Sequence, residues 1–351
     1  MWDAVSRLMN QAVREGITPG CALAAGCGGK VLFTHTEGVL ATDLSQPVNE
    51  ATRYEIGSLT QCYAVVPLTL YAVEQGMLTL DDRLSDWLSN VPEDKKAITL
   101  RQLLTHTAGF ARNFLLQEDI HRPEDAPKAL LAQPLAAAPG FSVNPSDIGY
   151  MLLGFLLEKV FQMLLDAAVR KYVFAPLKMK STNYLPTGGN IAPAFSESET
   201  EYWQPGQPMD SNARFLHGVS GHGGLFTNLE DSIHFAAMLA NGGSSESGGV
   251  LAKSSIRMIG ENHTQGLNLP FGFGFRVAPK GGEYPADLWQ AGSYGLSDPA
   301  SGSFLMVSPE DGFYVVLLAN NRYMLTDAAK IAKRQKCLLN AAYAAFQHEG
   351  L

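Results

Sequence analysis

The chain has 351 residues, of which 46% are hydrophobic and 17% are charged, and its formal net charge is −8. This length and composition allow a large hydrophobic core and fit either one two-lobed unit or two domains. The negative charge argues against nucleic acid or an anionic membrane surface as a partner, and no apolar run approaches the roughly 20 residues of a membrane span.

The first residues and the cysteines bear on the cellular compartment. The N-terminal segment Met-Trp-Asp-Ala-Val-Ser-Arg lacks a basic region followed by an apolar stretch, so we expect no signal peptide and a cytoplasmic protein. Cys21, Cys27, Cys62 and Cys337 show neither a Cys-x-x-Cys pair nor the spacing of zinc ligands. We interpret them as reduced, mostly buried thiols, and we expect no metal and no cofactor.

The first two-thirds of the chain change from strand-rich to helical patterns. Residues 4–15 predict a helix, and residues 21–25 and 30–35 predict strands that are joined by a turn over 26–29. From about residue 58 to residue 240 the pattern is mainly helical. Loops rich in proline and glycine interrupt it over 186–208.

The last third returns to strands before it ends in a helix. Strands are predicted over 271–277, 302–307 and 313–319, and a helix over 326–348. Strand-rich segments therefore lie on both sides of a helical middle. This order predicts one antiparallel sheet to which both segments contribute.

Ser58 lies where an extended stretch meets a helical pattern. The β-prone residues 52–56 are followed by Gly57, and Ser58 then precedes a long apolar run. At a helix N-terminus, free N–H groups and the helix dipole stabilise an alkoxide or an oxyanion. In a Ser-x-x-Lys arrangement the lysine lies one turn further on and accepts the serine proton. Here that position is Gln61, whose amide can hydrogen-bond Ser58 but has no useful basicity.

Seven ordered landmarks resemble the serine β-lactamase and penicillin-binding-protein-like hydrolases, including their esterase branch, over nearly the full chain. They are Gly57-Ser-Leu-Thr, Glu74-Gln-Gly-Met-Leu-Thr-Leu-Asp-Asp, Ile98-Thr-Leu-Arg-Gln-Leu-Leu-Thr-His-Thr-Ala-Gly, Pro139-Gly to Gly149-Tyr-Met-Leu-Leu-Gly, Pro176-Leu-Lys-Met, Gly218-Val-Ser-Gly-His-Gly-Gly-Leu-Phe, and Val315-Val-Leu-Leu-Ala-Asn.

The resemblance implies an α/β fold of the α+β type, which is the β-lactamase/transpeptidase-like fold. An antiparallel sheet is flanked by helices, and a helical subdomain is inserted so that the active cleft lies between the two. For this chain we expect a single domain over 1–351. Its sheet subdomain covers about 1–57 and 241–351, and its helical subdomain covers about 58–240.

The second catalytic element of such hydrolases normally contains a tyrosine, as Tyr-x-Asn or Tyr-Ser-Asp. The matching triplet here is Pro145-Ser146-Asp147, so proline takes the tyrosine position. Proline has neither an ionisable group nor an N–H. Tyr150 is nearby but matches a landmark residue rather than the catalyst. Ser146 and Asp147 also suit the N-cap region of a helix, and Asp147 is a candidate for contact with the substrate.

The third element is normally Lys-Thr-Gly or His-Thr-Gly on the strand that lines the cleft. We align it with Gln290, Ala291 and Gly292, where both the cation and the hydroxyl are lost. Gln290 can alternatively be an ordinary strand residue. The resemblance places the oxyanion hole at the N–H groups of Ser58 and Ser293. The following segment, 296–302, is longer than usual and could partly cover the cleft.

Two histidines occur in landmark segments, and we interpret both as structural. They are His106 and His222. Upstream of the second, relatives commonly have His-Asp-x-Asn-Ala, whereas this chain has Met209 in place of that histidine.

These losses lead to three hypotheses about function. The favoured one is a catalytically degraded pseudoenzyme that keeps its cleft and binds a small-molecule ester or amide, or a peptidoglycan-like ligand. The second is an active serine acyl hydrolase, of the esterase, amidase, D-Ala peptide or β-lactam type, in which Ser58 works with a non-standard base. The third is an altered form of an active enzyme. Function has to be argued from the site and not from the fold.

Overall fold

The computed structural model describes residues 1–41, 44–112, 114–193, 204–243, 249–281, 284–321 and 328–350. The strands in these residues, numbered in chain order, are β1 (Gly20–Cys27), β2 (Lys30–Ala41), β3 (Leu44–Pro47), β4 (Tyr54–Glu55), β5 (Asn183–Tyr184), β6 (Leu225–Thr227), β7 (Arg276–Val277), β8 (Tyr294–Ser297), β9 (Phe304–Ser308) and β10 (Phe313–Ala319).

Seven of these strands form one antiparallel sheet in the order β3-β2-β1-β10-β9-β8-β7. The two strand-rich segments join where β1 pairs with β10, in a register that places Cys21 opposite Ala319 and Cys27 opposite Phe313. A second sheet of three short strands has the order β4-β6-β5. The predicted single sheet built from both ends of the chain is confirmed.

Both faces of the large sheet are buried. Alternate side chains of a strand point to opposite faces, so neighbouring residues of one strand belong to different cores. In β10, Tyr314, Val316 and Leu318 belong to the main core, which the inner helices share. Their neighbours Phe313 and Val315 belong to a second core that includes residues of the first and last helices. The sheet is therefore a layer between two sets of helices.

The α-helices of the described residues, numbered in chain order, are α1 (Asp3–Arg14), α2 (Val66–Glu74), α3 (Leu84–Trp87), α4 (Leu100–Leu104), α5 (Leu116–Asp119), α6 (Ala126–Ala132), α7 (Asp147–Phe161), α8 (Leu165–Val169), α9 (Ser211–Phe215), α10 (Leu229–Ala240), α11 (Lys253–Gly260) and α12 (Ala328–His348). Short 3₁₀ segments lie at Glu93–Lys95 and Pro123–Asp125, and π-helical segments lie at Gln61–Val65 and Arg170–Phe174.

Two predicted elements differ from the structure. Residues 271–277 form a strand only at β7, because Gly274 has a φ of 73° and interrupts the extended backbone. The predicted turn over 26–29 is confined to Gly28 and Gly29, since Gly26 and Cys27 still pair within β1. Parts of two other predictions, 194–203 of the loop region and 326–327 of the last helix, lie outside the described residues.

Among the residues that the model describes, no single helix is both long and apolar enough to cross a membrane. The pair α7 (Asp147–Phe161) and Leu165–Phe174 reaches the required length and apolarity only together, and it is bent by 71°.

Candidate active site

Ser58 lies at the junction of the small sheet and the first helix of the main core. Strand β4 pairs with β6, and the N–H of Ile56 donates to the carbonyl of Leu225, which fixes the approach of the chain. Gly57 then turns with a φ of 52°. Regular helical structure begins just after Ser58 and continues into the π-helical segment Gln61–Val65. Ser58 is partly exposed, and its position at a helix start agrees with the sequence prediction.

The partner of Ser58 is the carboxylate of Asp298. The hydroxyl of Ser58 donates to Oδ1 of Asp298 at 2.7 Å, and the backbone N–H of Ser58 donates to the same oxygen at 3.1 Å. The N–H of Ser301 donates to the other oxygen at 2.6 Å. Asp298 is only 5% exposed. The carboxylate of Asp298 thus already accepts a hydrogen bond from the N–H of Ser58, which would have to stabilise a developing oxyanion.

Asp298 reaches Ser58 because strand β8 ends one residue earlier. Ser297, the last residue of β8, pairs with Phe304, and the N–H of Asp298 donates to the carbonyl of Ser303 at 2.9 Å. The carboxylate packs directly against Gly57, where a Cβ atom would overlap it. Glycine suits position 57 for two reasons: it adopts the left-handed backbone easily, and it has no Cβ to collide with the carboxylate of Asp298.

Gln61 follows one turn after Ser58, and its side chain is 3% exposed. Its Oε1 is buried without a hydrogen-bond partner among the described residues. The only hydrogen bond that we observe between the two residues runs from the N–H of Gln61 to the carbonyl of Ser58. A neutral amide with a buried oxygen cannot take up the proton of the serine hydroxyl.

The Pro145 segment is held by the backbone rather than by a phenol. The N–H of Asn144 donates to the carbonyl of His106 at 2.8 Å, and the N–H of Ser146 donates to Nδ1 of the same histidine at 3.2 Å. Ser146 has the N-cap position of α7, but its hydroxyl donates to the carbonyl of Ala111 and not to the helix. Burial lowers the pKa of His106 to about 3, so its ring is neutral and can accept this bond.

Tyr150 does not replace the missing tyrosine. It is fully buried, and its hydroxyl donates to the carbonyl of Leu104 at 2.9 Å. Burial also raises the pKa of Tyr150, which keeps the phenol protonated. Among the residues that the structure describes, no lysine or tyrosine is hydrogen-bonded to the hydroxyl of Ser58.

The alignment of the third element with residues 290–292 is wrong. The amide of Gln290 donates to Asp311 and to the hydroxyl of Tyr343, beside the turn between β9 and β10. Tyr294 pairs with Val307 near that turn, whereas Ser297 pairs with Phe304 at the other end of the strand. Because the strand runs away from this turn toward Ser58, Gln290, Ala291 and Gly292 lie at the far end of β8.

Ser293 is also excluded as an oxyanion donor, since its N–H donates to the carbonyl of Gln290 at 3.2 Å. The residue that reaches Ser58 is instead Asp298, which directly follows the last residue of β8. Asp298 of the segment 296–302 contacts Ser58, which stays partly exposed; partial cover of the cleft by this segment remains a prediction.

Asp147 and His222 belong to a group of electrostatically interacting residues that also includes Asp210 and Asp298. Burial raises the pKa of Asp147; His222 and Arg112 oppose this shift, whereas the charges of Asp210 and Asp298 reinforce it. Nε2 of His222 is 2.8 Å from Oδ1 of Asp210, and its Nδ1 is 2.7 Å from the hydroxyl of Ser220. His222 thus contacts side chains, whereas His106 bonds the backbone.

We expect His222 to make stability depend on pH. Burial alone would lower the pKa of His222, but Asp210, Asp147 and Glu55 raise it to about 9. A histidine with a raised pKa stabilises the fold fully below about pH 6.5 and loses that contribution as pH rises through 9. The free energy of unfolding should therefore fall by about 2–3 kcal/mol between pH 6.5 and 9.

Urea unfolding at a series of pH values measures this slope, and His222→Asn should remove most of it. His121→Asn, at an exposed position, is the matched control and should keep it. An unchanged slope in the His222 variant would contradict the assignment of a charged imidazole.

The four cysteines are free, with Cys21 and Cys62 buried and Cys27 and Cys337 partly exposed. Within the described residues, no group of three or more His, Cys, Asp or Glu side chains could hold a metal ion.

Asp298 is the residue that sequence reasoning missed. It is 240 positions from Ser58 in the chain. No local sequence pattern relates residues so far apart, and only the fold reveals this contact.

Comparisons with known proteins agree with this fold. The family model described as Beta-lactamase matches residues 5–339. A protein of Escherichia coli K12 named "Putative D-alanyl-D-alanine carboxypeptidase" is 27% identical over 320 residues, covering 79% of this chain and 71% of the relative.

Two solved structures share the fold. EstCE1, described as a hydrolase with promiscuous acyltransferase activity, has a TM-score of 0.79, 22% identity and coverage of 97% of both chains. A class C β-lactamase has a TM-score of 0.78 and 20% identity, with coverage of 97% of this chain and 95% of the other. The chain, with its serine at a helix start beside an antiparallel sheet, belongs to the β-lactamase family.

Proposed function

We propose that this member of the family is catalytically impaired, with a cleft that binds a ligand rather than turning it over. The observation that carries the proposal is the carboxylate of Asp298, which accepts both the hydroxyl and the N–H of Ser58. An acyl group attached to Ser58 would have to direct its oxyanion to an N–H that already faces a negative charge. Repulsion between the two anions opposes that step.

Magnitudes support this proposal. Loss of a general base typically costs about 10²–10⁴ in rate, and the positions expected to supply proton transfer hold Gln61 and Pro145. Loss of one oxyanion-hole donor costs about 10²–10³ more. We propose that the cleft binds a small ester or amide, or a peptidoglycan-like peptide.

A second candidate function is an active serine acyl hydrolase in which Asp298 is the base. The distance of 2.7 Å between the hydroxyl of Ser58 and Oδ1 favours it, because a proton could transfer directly. The names of relatives such as EstCE1 also indicate acyl chemistry. Against it, the same oxygen also accepts the backbone N–H of Ser58, which would have to stabilise the oxyanion.

A fluorophosphonate probe followed by intact mass spectrometry separates the two candidates. We expect wild type to label no faster than Ser58→Ala, and Asp298→Asn to label at least as fast as wild type, since it removes the competing charge. If Asp298 is the base, wild type will label at Ser58 and Asp298→Asn will lose that reaction. Hydrolysis of an activated ester by the same three proteins gives the corresponding measurement of turnover.

A further inference from the structure

The segment from Ser297 to Gly302 forms a closed loop that carries Asp298. The N–H of Gly302 donates to the backbone carbonyl of Asp298 at 2.9 Å, and the N–H of Ser301 donates to its side chain. The N–H of Asn321 donates to the carbonyl of Ser301 at 2.8 Å. The first two bonds close the loop on itself, and the third ties it to Asn321 just after β10, so the position of Asp298 depends on the contacts that hold the loop.

One side chain of α12 connects the two ends of this loop. The hydroxyl of Ser297 donates to Oε1 of Gln335 at 2.6 Å, and Nε2 of Gln335 donates to the carbonyl of Gly302 at 2.8 Å. The amide therefore uses its acceptor at one end of the loop and a donor at the other. Within the part of the chain that the structure describes, this side chain is not hydrogen-bonded to Ser58, so its effect on the nucleophile has to pass through the loop.

We infer that Gln335 is a positioning residue that keeps Asp298 against Ser58, so that the availability of the nucleophile depends on helix α12. The inference rests on the proposed function, in which Asp298 silences Ser58. Two neutral hydrogen bonds of this kind shift the ratio of closed to open loop by roughly 10-fold. Shortening the side chain removes both bonds and leaves Asp298 itself intact.

Hydrogen exchange measured by mass spectrometry on the full chain tests the position of the loop. In Gln335→Ala, the amides of Asp298, Gly302 and Ser58 should exchange about 10-fold faster than in wild type. Gln290→Ala is the matched control, because its amide bridges Asp311 and Tyr343 at the far end of β8. That variant should leave these amides unchanged.

Labelling of Ser58 with a fluorophosphonate tests the consequence. Asp298→Gly should raise the labelling rate, and Gln335→Ala should raise it part of the way. In the Asp298→Gly background, Gln335→Ala should have no further effect, because no carboxylate is left to position. A purely structural role would change thermal stability in both backgrounds without this dependence. If Gln335→Ala does not fold, Ser297→Ala removes one of the two bonds and should act in the same direction.

The outcomes distinguish the two proposals. If Asp298→Gly labels faster but Gln335→Ala changes neither exchange nor labelling, the role of Gln335 is wrong and the proposed function stands. If Asp298→Gly labels more slowly than wild type, the proposed function is wrong. Faster exchange in Gln335→Ala together with slower labelling would show that Gln335 positions a base rather than an inhibitor, which overturns our inference as stated.

Discussion

Combining Gln61→Lys, Pro145→Tyr and Asp298→Gly is expected to give hydrolysis of a small activated ester at least about 100-fold faster than the first two substitutions alone. Lysine and tyrosine supply the proton transfer that the present residues lack. In the double variant, however, the new lysine would lie near the carboxylate of Asp298. An opposite charge raises the pKa of an amine, so the lysine would stay protonated and could not act as a base.

An activated ester is the appropriate substrate, because a good leaving group needs little help from a general acid. Each variant should also be prepared with Ser58→Ala, which must abolish the new activity. If the double variant is as active as the triple variant, Asp298 does not obstruct the site. If neither variant shows turnover that depends on Ser58, the defect extends beyond proton transfer and this carboxylate.

The second large effect concerns Gly57, where alanine should destabilise the protein by about 2–4 kcal/mol. Part of this cost is the positive φ of 52°, and the rest is the overlap of the new Cβ with Asp298. Gly76 provides a matched control, since its φ is 65° and no atom lies within 4 Å of a Cβ built there. Gly76→Ala should therefore cost only about 1 kcal/mol.

Urea unfolding of both variants, with and without Asp298→Gly, isolates the overlap. Removing the carboxylate should bring the cost of Gly57→Ala close to that of Gly76→Ala. Equal costs of the two alanine substitutions in the wild-type background would mean that Asp298 does not pack against Gly57 as described.

Much of the fold could be predicted from sequence because it depends on local patterns. The apolar run of β10 and the hydrophobic periodicity of the helices predict that these segments are buried. The order of the segments then limits the topology to one shared sheet. Ser58 could be placed at a helix start because Gly57 marks a local change of backbone direction.

The content of the active site could not be predicted in the same way. The contact between Ser58 and Asp298 joins residues that no local pattern relates, and the alignment with residues 290–292 followed the visible Gly292. The register of β8 decides which residues reach Ser58, and it is fixed by pairing with β9. A single strand cannot specify that register without its partner.

The pairing of β1 with β10 has a consequence for how the protein folds during synthesis. The inner strand β1, with Leu23 opposite Leu317, obtains one of its two neighbours only after the intervening residues 28–312 have been synthesised. Until then one edge of β1 has no partner, and such edges favour association with other chains. Contacts between residues so distant in sequence also slow folding. We therefore expect late, cooperative completion of the sheet and a yield that improves at low temperature or with chaperones.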